Sequence, residues 1–215
     1  MTERIAIYGG SFDPVHYGHL WVAENAREQL SLDRVIFVPA ATSPLKPHGP
    51  VAGDTQRLAM LRLALAEAAD STDLPSLIVD QRELLRGGTS FTIDTVEAIR
   101  ADHPDDELYL LIGSDAFAAI RLWHRPAELL NQIVPIVFRR GGDPEIDWNV
   151  LDGIVSAARC EQIRRASVNL PMIELSSGEI RERVAAGRSI RFRVPREVER
   201  LIATESLYQA EGSSG

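Results

Sequence analysis

The sequence predicts a doubly wound α/β fold, in which a parallel sheet carries helices on both faces. Short apolar runs alternate with helix-like segments along the chain, a pattern typical of βα units rather than of hairpins. One run, ELYLLIG (107–113), is apolar enough for a strand covered on both sides. No change in composition marks a linker, so we expect a single domain over residues 1–209 and a disordered tail at 210–215.

Five short apolar runs predict the strands of this sheet. They are RIAIY (4–8), RVIFVP (34–39), SLIVD (76–80), ELYLLIG (107–113) and IVPIVFRR (133–140). Pro135 lies inside the last run, and proline cannot donate a ladder hydrogen bond. Pro135 is therefore expected at the start of a strand or on an edge strand, rather than in a central strand.

The helices are predicted from apolar periodicity and from capping residues. Asp54 is a suitable N-cap, Pro126 fits a first helical position, and Gly187 is typical of a residue that follows a helix. The predicted helices cover residues 20–30, 55–69, 92–102, 115–120, 126–132, 178–186 and 195–204.

Composition excludes several classes of protein. The formal net charge of −8 argues against a duplex nucleic-acid partner, which a basic face would bind. No apolar run approaches the roughly 18 residues of a membrane helix, and the first ten residues lack a signal-peptide pattern. Cys160 is the single cysteine and excludes an internal disulfide. We expect a cytoplasmic protein without nucleic-acid or membrane partners, and homo-oligomerisation is left open.

The stretch GGSFDPVHYGHL (9–20) joins the first strand to the first helix. In open α/β sheets, ligands bind beyond the carboxyl ends of the strands. Glycines there let backbone N–H groups approach a ligand, and the helix that follows offers its N-terminus to an anion. His16 and His19 are three residues apart, so that both imidazoles can face the same phosphate. The stretch is therefore a candidate polyphosphate site.

A simpler interpretation of the same stretch stays open at this point. Two glycines after a strand are common turn chemistry, and most single histidines are ordinary surface or core residues. The dinucleotide fingerprint GxGxxG and the phosphate loop GxxxxGK[ST] are both absent. On spacing alone, the phosphate site and the simple turn have about equal weight.

The stretch GGSFDPVHYGH (9–19) resembles the HxGH signature of the nucleotidyltransferase superfamily. Within it, the chain resembles the bacterial nicotinate-nucleotide adenylyltransferases over residues 4–208. The further matching blocks, in the family's order, are TSFTIDT (89–95), LIGSDAF (111–117), LWHRPAELL (122–130) and SSGEIRERVAAGRSIRFRVPREV (176–198). The resemblance implies a Rossmann-like fold of nucleotidyltransferase type and an enzyme that makes deamido-NAD from ATP and nicotinate mononucleotide.

The resemblance also implies a set of residues around ATP. His16 and His19 are the expected catalytic residues, with His19 nearest the charge of the transition state. Ser177, as a helix cap, and Arg181 are expected to form the opposite wall. The ATP site implied in this way consists of Gly9, Gly10, Ser11, Phe12, His16, His19, Gly113, Asp115, Ser177 and Arg181.

For nicotinate mononucleotide, the resemblance implies Lys46, Thr92, Trp123 and Arg139. The indole of Trp123 offers a face for the pyridine ring, although tryptophans at helical spacing are usually core residues. Thr92 opens a helix whose N-terminus favours the nicotinate carboxylate over a neutral amide. Mg²⁺ is expected to come with ATP, since the sequence shows no dedicated carboxylate cage.

Three positions depart from the family pattern. Gly178 stands where the family usually has threonine, Phe91 replaces the tyrosine of its SYT segment, and SPLKPH (43–48) replaces its usual PPHK order. The last change leaves the alignment of Lys46 and His48 open.

Two alternative functions are left open by the sequence. One is another adenylyltransferase, notably pantetheine-phosphate adenylyltransferase, which typically has threonine in place of the first histidine and is shorter; a cytidylyltransferase is disfavoured for the same reasons. The other is a non-catalytic nucleotide-binding module, an idea that Gly178 invites and that His16, His19 and Arg181 oppose.

Overall fold

The structure, a computed structural model, describes residues 2–42, 44, 49–69, 76–139, 145–168 and 175–210. These residues form five strands and nine α-helices. The strands are β1 (Arg4–Gly10), β2 (Arg34–Pro39), β3 (Leu77–Val79), β4 (Glu107–Gly113) and β5 (Val134–Phe138). The helices are α1 (Tyr17–Gln29), α2 (Asp54–Ala68), α3 (Arg82–Arg86), α4 (Thr92–Asp102), α5 (Ser114–Ala118), α6 (Pro126–Gln132), α7 (Ala157–Arg165), α8 (Ser177–Ala185) and α9 (Arg196–Thr204).

The five strands form one parallel sheet in the order β3-β2-β1-β4-β5. The chain moves outward from β1 to β3 and then returns to place β4 on the other side of β1. Successive strand residues such as Ile7 and Tyr8 belong to different apolar clusters. Helices α1, α2, α8 and α9 pack in one cluster, and α4, α6 and α7 in the other. The doubly wound α/β fold is therefore confirmed.

A gap opens between β1 and β4 at the carboxyl edge of the sheet. Their pairing starts at Arg4–Glu107 and ends at Ile7–Leu110. On their outer sides the same strands stay paired further, to Gly10–Pro39 and to Gly113–Phe138. The two central strands thus separate over their last three residues, at the point where the sheet changes its winding direction. This is where doubly wound sheets bind ligands.

Most predicted elements lie where the sequence placed them, with a few corrections. β4 and α6 match residue for residue, and Pro135 does lie on an edge strand. Asp54 is the first residue of α2 rather than its cap, because Gly53 precedes it in extended conformation. Helices α3 and α7 were not predicted, and neither were two short 3₁₀ turns at Ile120–Leu122 and Trp148–Leu151.

Among the described helices, none has the length and apolarity that a membrane-spanning segment needs. The single domain over residues 1–209 stays a prediction, which the one sheet shared by both apolar clusters supports. Residues 211–215 of the expected tail lie outside the described residues.

Candidate active site

The loop after β1 packs against the apolar core on one side and faces open space on the other. Phe12 is 2% exposed, and its ring packs against Tyr8 and Phe37 in the core. A Cβ on Gly10 would lie 3.1 Å from this ring, whereas a Cβ on Gly9 would meet nothing within 4 Å. Phe12 therefore forms a floor under the loop, and Gly9 faces open space at the end of the strand.

The two histidines of the signature lie side by side at the start of α1. Their rings are stacked, with centroids 3.7 Å apart and an interplanar angle of 27°. The backbone N–H of His16 donates to Nδ1 of His19 at 3.2 Å. A neutral His19 therefore carries its proton on Nε2, which makes that nitrogen a hydrogen-bond donor. His16 is buried and His19 half-buried, so His19 is the more accessible of the pair.

Gly18 allows the imidazole of His16 to lie against the backbone. This residue was not among the site residues predicted from the sequence. A Cβ at Gly18 would lie 2.9 Å from Nδ1 of His16 and 3.0 Å from its Cε1. Any side chain at this position would push against the imidazole. The glycine between the two histidines thus has a steric reason, which is the close approach of the ring to the backbone.

Helix α8 contributes two side chains to the same loop. Ser177 Oγ donates to the carbonyl of Pro14 at 2.9 Å, and Arg181 Nη1 donates to the carbonyl of Asp13 at 2.7 Å. The prediction that Ser177 caps the helix is wrong: the cap is Ser176, whose hydroxyl accepts from the N–H of Glu179. Ser177 and Arg181 are nevertheless brought against the histidine loop, as expected for an opposite wall.

The carboxylate of Asp13 ties this loop to two other parts of the chain. It is buried and accepts hydrogen bonds from the backbone N–H groups of Val51 and Ala52 and from the hydroxyl of Tyr208. Burial, together with the hydrogen bond to Asp13, raises the pKa of the Tyr208 phenol above its usual value. The phenol therefore stays protonated at neutral pH and remains a donor.

Arg57 supports the loop from the side of α2. It is fully buried, and its guanidinium donates to the carbonyl of Ser11 at 2.7 Å and to Asp54 at 2.5 Å. The sequence contained a signal for this residue, since Arg57 lies on the apolar stripe of α2 with Met60 and Leu61. A charged residue on such a stripe needs a buried partner.

The end of β4 forms the other side of the gap. Gly113 is buried and precedes α5, and Asp115 is exposed in the first turn of that helix. A Cβ on Gly113 would lie 2.6 Å from Oδ1 of Asp115. The glycine thus lets the carboxylate fold back over the end of the strand, where it is available to a ligand.

The residues expected to bind nicotinate mononucleotide are partly brought together. Thr92 is the first residue of α4, and the ring of its neighbour Phe91 lies 4.5 Å from that of His124, next to Trp123. Trp123 is half-buried against the apolar cluster of α4, and within the described residues its buried indole Nε1 has no hydrogen-bond partner. Arg139 follows β5 and pairs with Glu145 at 2.7 Å. Lys46 and His48 lie outside the described residues.

The donors around the histidine loop are imidazoles, a guanidinium and backbone N–H groups. In the described part of the chain, no group of three or more His, Cys, Asp or Glu side chains is arranged to hold a metal ion. Mg²⁺ prefers oxygen ligands, and the carboxylate of Asp13 is already occupied by three donors. These residues fit a bound anion better than a bound cation.

Residues 7–183 match the protein family described as cytidylyltransferase-like. A probable nicotinate-nucleotide adenylyltransferase from Rhodopirellula baltica is 47% identical over 208 residues, covering 97% of this chain and 94% of the relative. A relative of the same name from Herpetosiphon aurantiacus is 38% identical over 209 residues, covering 97% and 100%. The solved structure of Plasmodium falciparum nicotinic acid mononucleotide adenylyltransferase complexed with NaAD has a TM-score of 0.74 at 19% identity, covering 96% of this chain and 97% of that one. The last likeness confirms the fold.

The contact between Gly18 and His16 predicts the effect of a methyl group. Gly18→Ala would place a Cβ 2.9 Å from the imidazole, and we expect the ring to shift and the free energy of unfolding to fall by about 1–3 kcal/mol. Chemical denaturation and a crystal structure of the variant measure both effects.

Gly178→Ala is the matched control for this substitution. Gly178 is also the second residue of its helix, but a Cβ there would meet no atom closer than 3.9 Å. It should stabilise the protein, because alanine is the better helix former. Equal effects of the two substitutions would contradict the steric argument.

Proposed function

Since the chain belongs to the nicotinate-nucleotide adenylyltransferase family of cytidylyltransferase-like proteins, we propose that it transfers the adenylyl group of ATP to nicotinate mononucleotide. A phosphate oxygen of the mononucleotide attacks the α-phosphorus of ATP, and the bond to the bridging oxygen breaks. Pyrophosphate leaves, and deamido-NAD is formed for NAD biosynthesis. The observation that carries this proposal is the stacked pair of His16 and His19 beside the gap between β1 and β4.

We propose that ATP binds with its phosphates over the loop that follows β1. Gly9, Gly10 and Ser11 would allow the backbone to approach the nucleotide, while Phe12 supports them from below. Nε2 of His19 would donate to a phosphate oxygen, and the stacked ring of His16 holds His19 in position. Phosphate binding at the N-terminus of α1 adds the favourable end of the helix dipole.

Arg181 and Ser177 would complete the phosphate site from α8. The Nη1 atom of Arg181 is occupied by a backbone carbonyl, which leaves further N–H groups of the guanidinium for a phosphate. Gly113 and Asp115 lie across the gap, where a carboxylate suits the hydroxyl groups of a ribose. This arrangement provides positive charge at one end of ATP and a hydrogen-bond acceptor at the other.

Catalysis would consist of positioning and of charge stabilisation. Both reactants are anions, and phosphoryl-type transfer spreads further charge over the oxygens of the transition state. Preorganised donors aimed at that charge are the largest contribution that a protein can make. We propose that Mg²⁺ arrives with ATP as part of the substrate and neutralises phosphate charge, since the described residues offer it no cage.

The acceptor would bind between α4 and the segment that precedes α6. The indole of Trp123 is proposed to stack on the pyridine ring, and the N-terminus of α4 at Thr92 to receive the nicotinate carboxylate. Arg139 and Lys46 are proposed partners of the acceptor phosphate. A cytoplasmic location and the absence of a nucleic-acid partner also stay proposals, supported by the net charge of −8; homo-oligomerisation stays open.

A comparison of acceptor substrates tests the proposed function directly. Pyrophosphate release should be measured with ATP and Mg²⁺ and with nicotinate mononucleotide, nicotinamide mononucleotide or phosphopantetheine as acceptor. We expect kcat/KM for nicotinate mononucleotide to exceed that for the amide by more than about tenfold, since hydrogen bonds to charged groups are worth about 1.5–3 kcal/mol. Comparable values would refute the role of α4. ATP binding without release from any acceptor would favour a non-catalytic module.

His19→Ala tests the phosphate site. Removing a preorganised donor should lower kcat about a hundredfold to a thousandfold in the pyrophosphate assay. His103→Ala is the control, because His103 pairs with Asp106 before the amino end of β4, far along the chain from the loop. Near-normal turnover of a folded His19→Ala enzyme would rule out this role for the imidazole.

Gly178→Thr tests the departure from the family pattern. There is room for a side chain, since a Cβ would lie 3.9 Å from Ser176 Oγ and 4.0 Å from Arg181 Nη2. A hydroxyl beside Arg181 should lower KM for ATP about two- to tenfold, the worth of one neutral hydrogen bond. Gly178→Ala provides the same Cβ without the hydroxyl. If both variants have the same KM, the missing threonine has no role in ATP binding.

A further inference from the structure

The buried carboxylate of Asp13 is surrounded by neutral donors. Its Oδ2 accepts from the N–H of Val51 at 2.7 Å, and its Oδ1 accepts from the N–H of Ala52 at 3.1 Å and from the hydroxyl of Tyr208 at 2.7 Å. Only 3% of the residue is exposed. A carboxylate at such depth is tolerated only when its oxygens are hydrogen-bonded.

Arg181 lies next to this carboxylate without forming a hydrogen bond to it. Its Nη1 is 3.8 Å from Oδ2 of Asp13 but only 2.7 Å from the backbone carbonyl of the same residue. Its side chain is 33% exposed, whereas that of Asp13 is 4% exposed. The guanidinium thus lies between the buried carboxylate of Asp13 and solvent at the histidine loop.

We propose that Tyr208 is a positioning residue, whose hydroxyl completes the hydrogen bonding of Asp13 and so keeps the guanidinium of Arg181 available to ATP. The proposal rests on the proposed function of Arg181 as a phosphate ligand. It assigns a role at the nucleotide site to a side chain 195 residues from Asp13, in the turn that follows α9.

Loss of this hydroxyl would leave a buried oxygen of Asp13 without one of its donors. The carboxylate would keep its two backbone donors, but a buried charge with fewer hydrogen bonds is less stable, and a nearby cation can compensate for the lost donor. The other nearby guanidinium belongs to Arg57, which is fully buried. Its Nη1 and Nη2 are bound to Ser11 and Asp54, and its Nε has no partner among the described residues. Arg181 is partly exposed and held through Nη1 by one backbone carbonyl, and its Nη1 lies 3.8 Å from Oδ2 of Asp13. A shift of this guanidinium toward the carboxylate would draw it away from the phosphates.

Tyr208→Phe tests this proposal, because it removes one hydroxyl and little packing. ATP affinity should be measured by calorimetry with the full chain, and KM for both substrates by pyrophosphate release. We expect ATP binding to weaken about tenfold and KM for ATP to rise accordingly. KM for nicotinate mononucleotide should stay within about twofold, since Arg181 is not assigned to the acceptor.

Tyr109→Phe is the matched control. Tyr109 is also 9% exposed, donates to the carboxylate of Glu107 at 2.8 Å and lies beside Arg4, but it belongs to β4 and not to the histidine loop. It should leave ATP affinity unchanged. A purely structural role for Tyr208 would lower the active fraction, and hence the apparent kcat, without changing KM for ATP.

Asp13→Asn removes the charge that would capture Arg181. This variant is expected to be less stable, because its amide group faces one of the backbone N–H groups, and its own ATP affinity is the reference for the double variant. Adding Tyr208→Phe to Asp13→Asn should then have no further effect on ATP affinity. This comparison also tests the proposal if Tyr208→Phe alone does not fold.

The outcomes separate this proposal from the proposed function. If wild-type and Tyr208→Phe protein bind ATP equally well, the role of Tyr208 is overturned and the proposed function stands. An equal loss of ATP affinity in Tyr109→Phe also overturns the role of Tyr208. So does a Tyr208→Phe effect that is the same in wild-type protein and in Asp13→Asn protein. Wild-type protein that does not bind ATP overturns both proposals.

Discussion

The buried carboxylate of Asp13 joins parts of the chain that are far apart in sequence. It holds the backbone before α2 through Val51 and Ala52 and the turn after α9 through Tyr208. The backbone carbonyl of the same residue holds Arg181 of α8. Each of these partners lowers the cost of burying the charge. These contacts hold the loop that carries the histidines in place, as a site based on preorganised donors requires.

The topology of the sheet and the chemistry of the loop both indicate a binding site at the gap between β1 and β4. β1 and β4 separate over their last three residues, and the gap between them is bordered by glycines on both sides. On one side the loop provides nitrogen donors, and on the other Asp115 provides an exposed acceptor. Because nucleotides are anionic at one end and rich in hydroxyl groups at the other, this division of donors and acceptors suits them well. In the proposed reaction, the protein contributes charge and position rather than a reactive group.

The sequence predicted the fold well, and the site only in part. The apolar run of β4 and the proline of α6 are local signals, so both elements were found residue for residue. Helix α3 has only five residues, and α7 buries only Ile163, so neither has an apolar stripe. The N-cap Ser156 of α7 was a local signal that the prediction did not use. The contacts from α8 to Asp13 and Pro14 span 168 and 163 residues, which no local spacing reveals. Tyr208 had no sequence signal, because its importance depends entirely on a partner at the opposite end of the chain.

The hydrogen bond between Asp13 and Tyr208 also has a consequence for folding during translation. A ribosome adds roughly 5–20 residues per second, so the 195 residues between these partners take about 10–40 s to be translated. During that time Asp13 has left the ribosome while its phenolic partner has not yet been made. A nascent chain thus cannot complete the proposed nucleotide site until Tyr208 has emerged from the exit tunnel.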